Sequence, residues 1–155
     1  MKEQFFTWIV GSILFLVLVS SIFLSSGQGN YSLGILLYFV DIPSLFIIII
    51  MNLFMLVVTK SVKLFLNSFS NAYNADKTHY EIKSSIRAVK LVMQTSIFGS
   101  ISVSIIHMIL LLRQLDSIES IGIYLALALL ILLYAVLICL ILLPIKNKLE
   151  IIMEQ

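Results

Sequence analysis

The sequence predicts an all-α membrane protein, with four transmembrane helices in two hairpins and both termini on the cytoplasmic side. Three observations carry this. Of 155 residues, 61% are hydrophobic and only 12% are charged, whereas soluble domains carry about 25% charged residues. Four stretches run without a charge for nearly the length a bilayer demands: Phe5 to Leu24, Ile42 to Thr59, Leu91 to Leu112 and Ile121 to Leu143. The connections between them differ in sign, which sets their sidedness.

Ser25 to Asp41 holds Ser, Gly, Asn and one Asp but no Lys or Arg, while Lys60 to Lys90 holds Lys60, Lys63, Lys77, Lys83, Arg87 and Lys90. The positive-inside rule puts the second connection in the cytoplasm. Gln114 to Ser120 is a short link with Asp116 and Glu119, and the final segment adds Lys146 and Lys148. A single domain over 1–155 follows, with helices over 5–25, 42–66, 78–113 and 120–146 and a cytoplasmic connection over 67–90. The first apolar run is longer than the 7 to 15 residues usual for the core of a signal peptide, so it reads as a retained anchor.

The second and third helices extend past the bilayer surface in this reading. Lys60 and Lys63 with Leu64 and Leu66 continue the second helix. Thr78 followed by Glu81 has the spacing of a capping box, which starts the third helix below the membrane. Ile82, Ile86 and Val89 then recur on one face, with Lys83, Arg87 and Lys90 on another. That basic set reads as a collar at the lipid headgroups. The net charge of +2 is too small for nucleic-acid binding.

Polar residues inside the spans are few. Ser96, Ser100, Ser104 and His107 follow at intervals of four, four and three, so on a helix they fall within roughly 80° of one another. Hydroxyls can fold back onto their own helix, but an imidazole cannot. His107 is therefore either part of a wet path, or a group that hydrogen-bonds across a helix contact or reaches hydrated surface. Asn52 reads as an interhelical hydrogen bond. In the fourth span, Gly122 with Ala126 and Ala135 with Cys139 place small residues four apart, which admits a neighbouring helix backbone. Cys139, the single cysteine, reads as a packing residue.

No Asp, Glu, Lys or Arg lies in the middle of a span, so an ion path would need a carboxylate from another chain. A self-contained transporter would want a charged or broken-helix site at the midplane. No nucleophile–base pair stands out, and His79 and His107 lack metal-site spacing, so enzymatic activity and resident cofactors are not expected.

Two segments carry a family resemblance. Val40-Asp41-Ile42-Pro43-Ser44-Leu45-Phe46-Ile47 resembles the start of the second helix of flagellar stator MotA proteins. Ile121-Gly122, then Leu125 to Leu130 with Ala126, then Tyr134, Leu143-Pro144-Ile145 and Lys148-Leu149-Glu150 resembles the MotA fourth helix. The two-hairpin topology is similar to that of the MotA/TolQ/ExbB proton-channel family, and the resemblance covers the second and fourth helices well and the third weakly. It implies a bacterial inner-membrane motor subunit, five copies ringing two single-span partners of the MotB/ExbD kind, whose Asp carries a proton or sodium ion.

On that resemblance Ser104 takes the place of a third-helix Thr facing the partner's Asp, and Ser100, His107 and Tyr134 join the ion path. Asp41, Pro43, Ser44, Gly122, Ala126 and Pro144 are motif positions. The chain departs from the family at Ile131 and Leu132, where threonines are usual, at Ile97, where a proline is, and at Val103 and His107, where glycines are. The large rotor-engaging cytoplasmic domain of MotA is also missing, leaving about 30 residues between Lys60 and Lys90. A non-conducting scaffold or assembly protein with the same fold is the alternative.

Overall fold

In a computed structural model, residues 41–73, 78–113 and 118–154 are described. The first span expected over 5–25, the link before Asp41, residues 74–77 of the cytoplasmic connection, and the tip at 114–117 lie outside the described residues. Those described belong to one unit, Asp41–Gln155, and form four helices with no strand among them: α1 (Ile42–Val58), α2 (Val62–Asn71), α3 (His79–Arg113) and α4 (Ile118–Glu154).

α1 begins where the sequence says a helix should. The Asp41 carboxylate accepts the Ser44 amide at 2.9 Å, relieving one of the amides that a helix start leaves without a partner. Pro43 sits in the first turn, where its missing N–H costs nothing. Ser44, Ile48, Asn52 and Leu56, four apart, are buried, while Phe46, Ile49, Leu53, Phe54 and Val57 are exposed. The outward face of α1 is thus apolar, a surface that lipid or another apolar helix can cover.

The second helix does not run unbroken from 42 to 66 as expected. α1 stops at Val58, and α2 leaves it at 102°. The stop is a Schellman motif: the Ser61 amide donates to Leu56 O at 2.8 Å and the Lys60 amide to Val57 O at 3.0 Å, which occupies carbonyls that would otherwise point unpaired into the bilayer edge. Lys60 takes the left-handed conformation this requires, with φ 53°, at a position where glycine is usual. The Thr59 hydroxyl adds a bond to Met55 O at 2.7 Å. No Gly or Asn marks the turn, which is why the pattern of the sequence runs through it.

α3 starts at the predicted capping box. Thr78 N donates to Glu81 Oε2 at 3.3 Å and Glu81 N to Thr78 Oγ1 at 3.4 Å. It then runs 35 residues, about 52 Å at 1.5 Å per residue, and α4 runs 37 residues, about 55 Å. Both are long and apolar enough to cross a membrane, whose hydrocarbon core is about 30 Å thick, so each projects beyond it.

α3 and α4 pack antiparallel, with Ile82, Val89 and Val92 of α3 sharing one apolar cluster with Leu142 and Leu149 of α4. α4 passes the expected stop at 146 and continues through Pro144 to Glu154. Proline removes one helical hydrogen bond, but Leu142, Ile145, Leu149, Ile152 and Met153 lie on one apolar cluster with Leu56, Ala72, Ile82, Val89 and Val92. Burying that row on both sides of the proline outweighs the lost bond. A Lys146–Glu150 ion pair at 3.2 Å supports the same stretch.

The break gives a direct test. A left-handed lysine costs roughly 1 kcal/mol and a β-branched residue more. Lys60→Gly should leave stability unchanged or raise it by up to about 1 kcal/mol, whereas Lys60→Val should lose more than about 1 kcal/mol. Unfolding by SDS titration in mixed micelles reads this, and equal stability of the two variants would contradict the cap.

Candidate functional site

The hydroxyl stripe of α3 turns inward. Ser96, Ser100 and Ser104 are buried, the last at 8% exposure, and His107 is half-buried at the outer end of the row. The stripe continues toward the charged end of the bundle through Ser85, also buried, which lies eleven residues before Ser96 and so on the same helical face. That continuation was readable from spacing and is absent from the expectations above.

Four of the five side chains in the row, Ser85, Ser96, Ser100 and His107, have a defined partner. Asn52 of α1 sends its amide Nδ2 to Ser96 Oγ at 2.9 Å and to Ile48 O at 2.9 Å. It is the interhelical bond expected of it. The Ser100 hydroxyl donates to Ile97 O at 2.9 Å, folding back on its own helix. His107 Nδ1 lies 3.0 Å from Val103 O; a carbonyl only accepts, so Nδ1 donates, and the imidazole folds back onto its own helix as Ser100 does, contrary to the expectation that it could not. Lower down, Asn71 Nδ2 donates to Ser85 Oγ at 3.0 Å and ties α2 to α3. Asn52 Oδ1 is buried without a hydrogen-bond donor among the described residues.

Close approach of α1 to this row depends on Gly99, which the sequence reading did not single out. A Cβ there would meet Met51 Cε at 2.9 Å and its Sδ at 3.2 Å. Glycine lets the Met51 side chain lie across α3 beside the Asn52–Ser96 bond, and an alanine would have to swing the flexible thioether aside.

Tyr134 of α4 is buried, and its hydroxyl accepts the backbone N–H of Asp41 at 2.7 Å. Asp41 is thus anchored twice, through its carboxylate to Ser44 N and through its amide to Tyr134. Ile48, Tyr134 and Ala135 share one apolar cluster. Of the two small-residue pairs in α4, Ala135 with Cys139 packs, the thiol lying 3.7 Å from Met93 O. Gly122 and Ala126 face outward, and nothing lies within 4 Å of a Cβ built on Gly122. Ile131 is buried, Leu132 is half-buried, and Pro43 and Pro144 are exposed.

At the charged end, Lys148 Nζ sits 4.1 Å from the centre of the Tyr73 ring, a cation–π contact between α4 and the turn after α2. A pocket of about 300 Å³ opens between α2 and α3, lined by Lys63, Asn67, Ser70, Asn71, Glu81 and Ser84. No family model, curated protein or solved structure matches the chain.

The Asn52–Ser96 bond lends itself to a double-mutant cycle. Ser96→Ala should cost about 1 kcal/mol, because it leaves a buried amide N–H short of one acceptor. Asn52→Leu in the Ser96→Ala background should recover most of that loss, since neither polar partner remains. SDS unfolding of the four proteins checks this; strict additivity would show that the bond carries no coupling.

Proposed function

We propose that this chain is the ring-forming channel or stator subunit of an ion-motive-force-driven membrane complex, holding a single-span partner whose carboxylate carries a proton or sodium ion. The observation that carries the reading is the 2.7 Å bond between Asp41 N and the Tyr134 hydroxyl. These residues belong to the two segments that resemble MotA, 93 positions apart in the chain, and in this fold they meet. The fold also supplies two helices long enough to cross a membrane and project beyond it, and the described spans hold no Asp, Glu, Lys or Arg at their centre. A moving charge would have to come from elsewhere. The exposed Gly122 and Ala126 leave room for a helix of another chain along the outer half of α4.

In this reading the basic end, with Lys83, Arg87, Lys90, Lys146 and Lys148, lies in the cytoplasm, and the host is a bacterial inner membrane. Ser104 and His107 are the side chains nearest the ion, with Ser100 beside them in the stripe and Tyr134 tying α4 to the start of α1.

A second reading, a non-conducting scaffold, has its own observation. Ser96 and Ser100 spend their hydrogen bonds inside one chain, and Ile131 and Leu132 bring no hydroxyl to α4.

Native mass spectrometry of the purified protein in nanodiscs should find a closed ring, five copies of the 17.5 kDa chain; a chain that stays single beside its partner would overturn both readings. Ion flux in proteoliposomes of the complete complex then separates them. Ser104→Ala or His107→Ala should cut flux at least about tenfold if the residues touch the ion, an effect of about 1.4 kcal/mol. Flux that is absent in the unsubstituted complex would favour the scaffold.

A further inference from the structure

We propose that α2 is an interfacial helix, lying in the plane of the membrane surface with Leu66, Phe69 and Tyr73 against lipid and Lys63, Asn67 and Ser70 toward water. Its direction is the first ground. α1 turns large apolar side chains outward, and the Schellman cap at Lys60 turns the chain by 102°, so α2 departs across the bundle at the level where the apolar run ends.

The second ground is its three-sided surface. On a helix advancing 100° per residue, Leu66 and Phe69 fall within roughly 60° of one another, with exposed Tyr73 following in the turn after the helix, and Lys63, Asn67 and Ser70 form another such set about 90° away. The remaining side is the packed one: Phe65 and Ala72 lie on the apolar cluster shared with α3 and α4, and Asn71 bonds Ser85. Leu66 is 64% exposed, Phe69 40% and Tyr73 49%. Phe69 is held edge-on against Phe65 at 5.5 Å, so its exposure is built in. An apolar edge and a polar edge side by side on a short helix are the signature of a segment lodged between acyl chains and headgroups.

The third ground orients the two edges. Lys63, Asn67 and Ser70 border the pocket whose far wall is Glu81 and Ser84, in the charged, capping-box end of α3. With that end of the bundle in water, the adjoining apolar edge of α2 is the one left to meet the bilayer. Lys60 and Lys63, with exposed Arg87 and Lys90 on α3, make this end of the bundle cationic, which suits an anionic lipid surface. Tyr73, with the Lys148 ammonium over its ring, is the kind of aromatic that settles at headgroup level. The inference rests on α3 and α4 crossing the membrane and is independent of whether the chain forms a ring.

The single native cysteine makes the test straightforward. In a Cys139→Ala background, Lys63→Cys, Leu66→Cys, Asn67→Cys and Phe69→Cys variants carry an environment-sensitive fluorophore. All four positions are exposed, and of them only Phe69 gives up a ring contact, the one with Phe65. The full chain is reconstituted in phosphatidylcholine vesicles with a minority of phosphatidylglycerol. Nitroxide-bearing lipid should quench positions 66 and 69 at least about twofold more than 63 and 67, and aqueous iodide should do the reverse. Iodide quenching all four alike would overturn the proposal by placing α2 in water. Positions 66 and 69 shielded from both quenchers would overturn it by showing that protein covers them.

Discussion

A polar group inside hydrocarbon has no water to bond, and the described part of this chain is arranged around that constraint. It explains why the described residues are almost entirely helical, since a helix bonds its own backbone. It explains the ends of α1, where Asp41 takes the Ser44 amide at one terminus and the Schellman bonds close the other. It also explains the serines, whose hydroxyls either fold onto the preceding turn, as Ser100 does, or receive the Asn52 amide, as Ser96 does. Each device leaves a helix surface that lipid tolerates.

The same constraint divides the bundle into two regimes. Where α1, α3 and α4 run through the apolar zone, large side chains such as Phe46, Phe54, Phe98 and Ile141 point outward and small or hydroxyl residues sit between helices. Gly99 and Ala135 bring backbones close, and packing with a few hydrogen bonds takes over from the hydrophobic effect. Toward the charged end the order reverses. Leu56, Ile82, Val89, Leu142 and Leu149 form an inward apolar core, as in a water-soluble bundle, with Lys83, Arg87 and Lys90 outside. α2 lies where one regime gives way to the other.

Much of this was legible beforehand. The capping box at Thr78 and Glu81, the inward hydroxyl stripe and the Asn52 bond follow from local spacing or from the cost of an unpaired polar group. What was not legible depended on distant partners. Tyr134 stood out as a motif residue, but its bond to Asp41 joins positions 93 apart. Gly122 with Ala126 and Ala135 with Cys139 have identical spacing, yet only the second pair packs within the described residues. The need for Gly99 appears only once Met51 is laid across it.

The sequence alone determined that this protein is helical, that long apolar helices form in it, and which face of the third carries its polar groups, because composition and helical period act within a few residues. Tertiary structure decided where helices stop and turn. Lys60 adopts a left-handed backbone and α4 runs through Pro144 because the apolar cluster formed by Leu56, Val92, Leu142 and Leu149 holds both segments in place. Local propensity argues against each of these, and only burial gathered from three helices is large enough to override it.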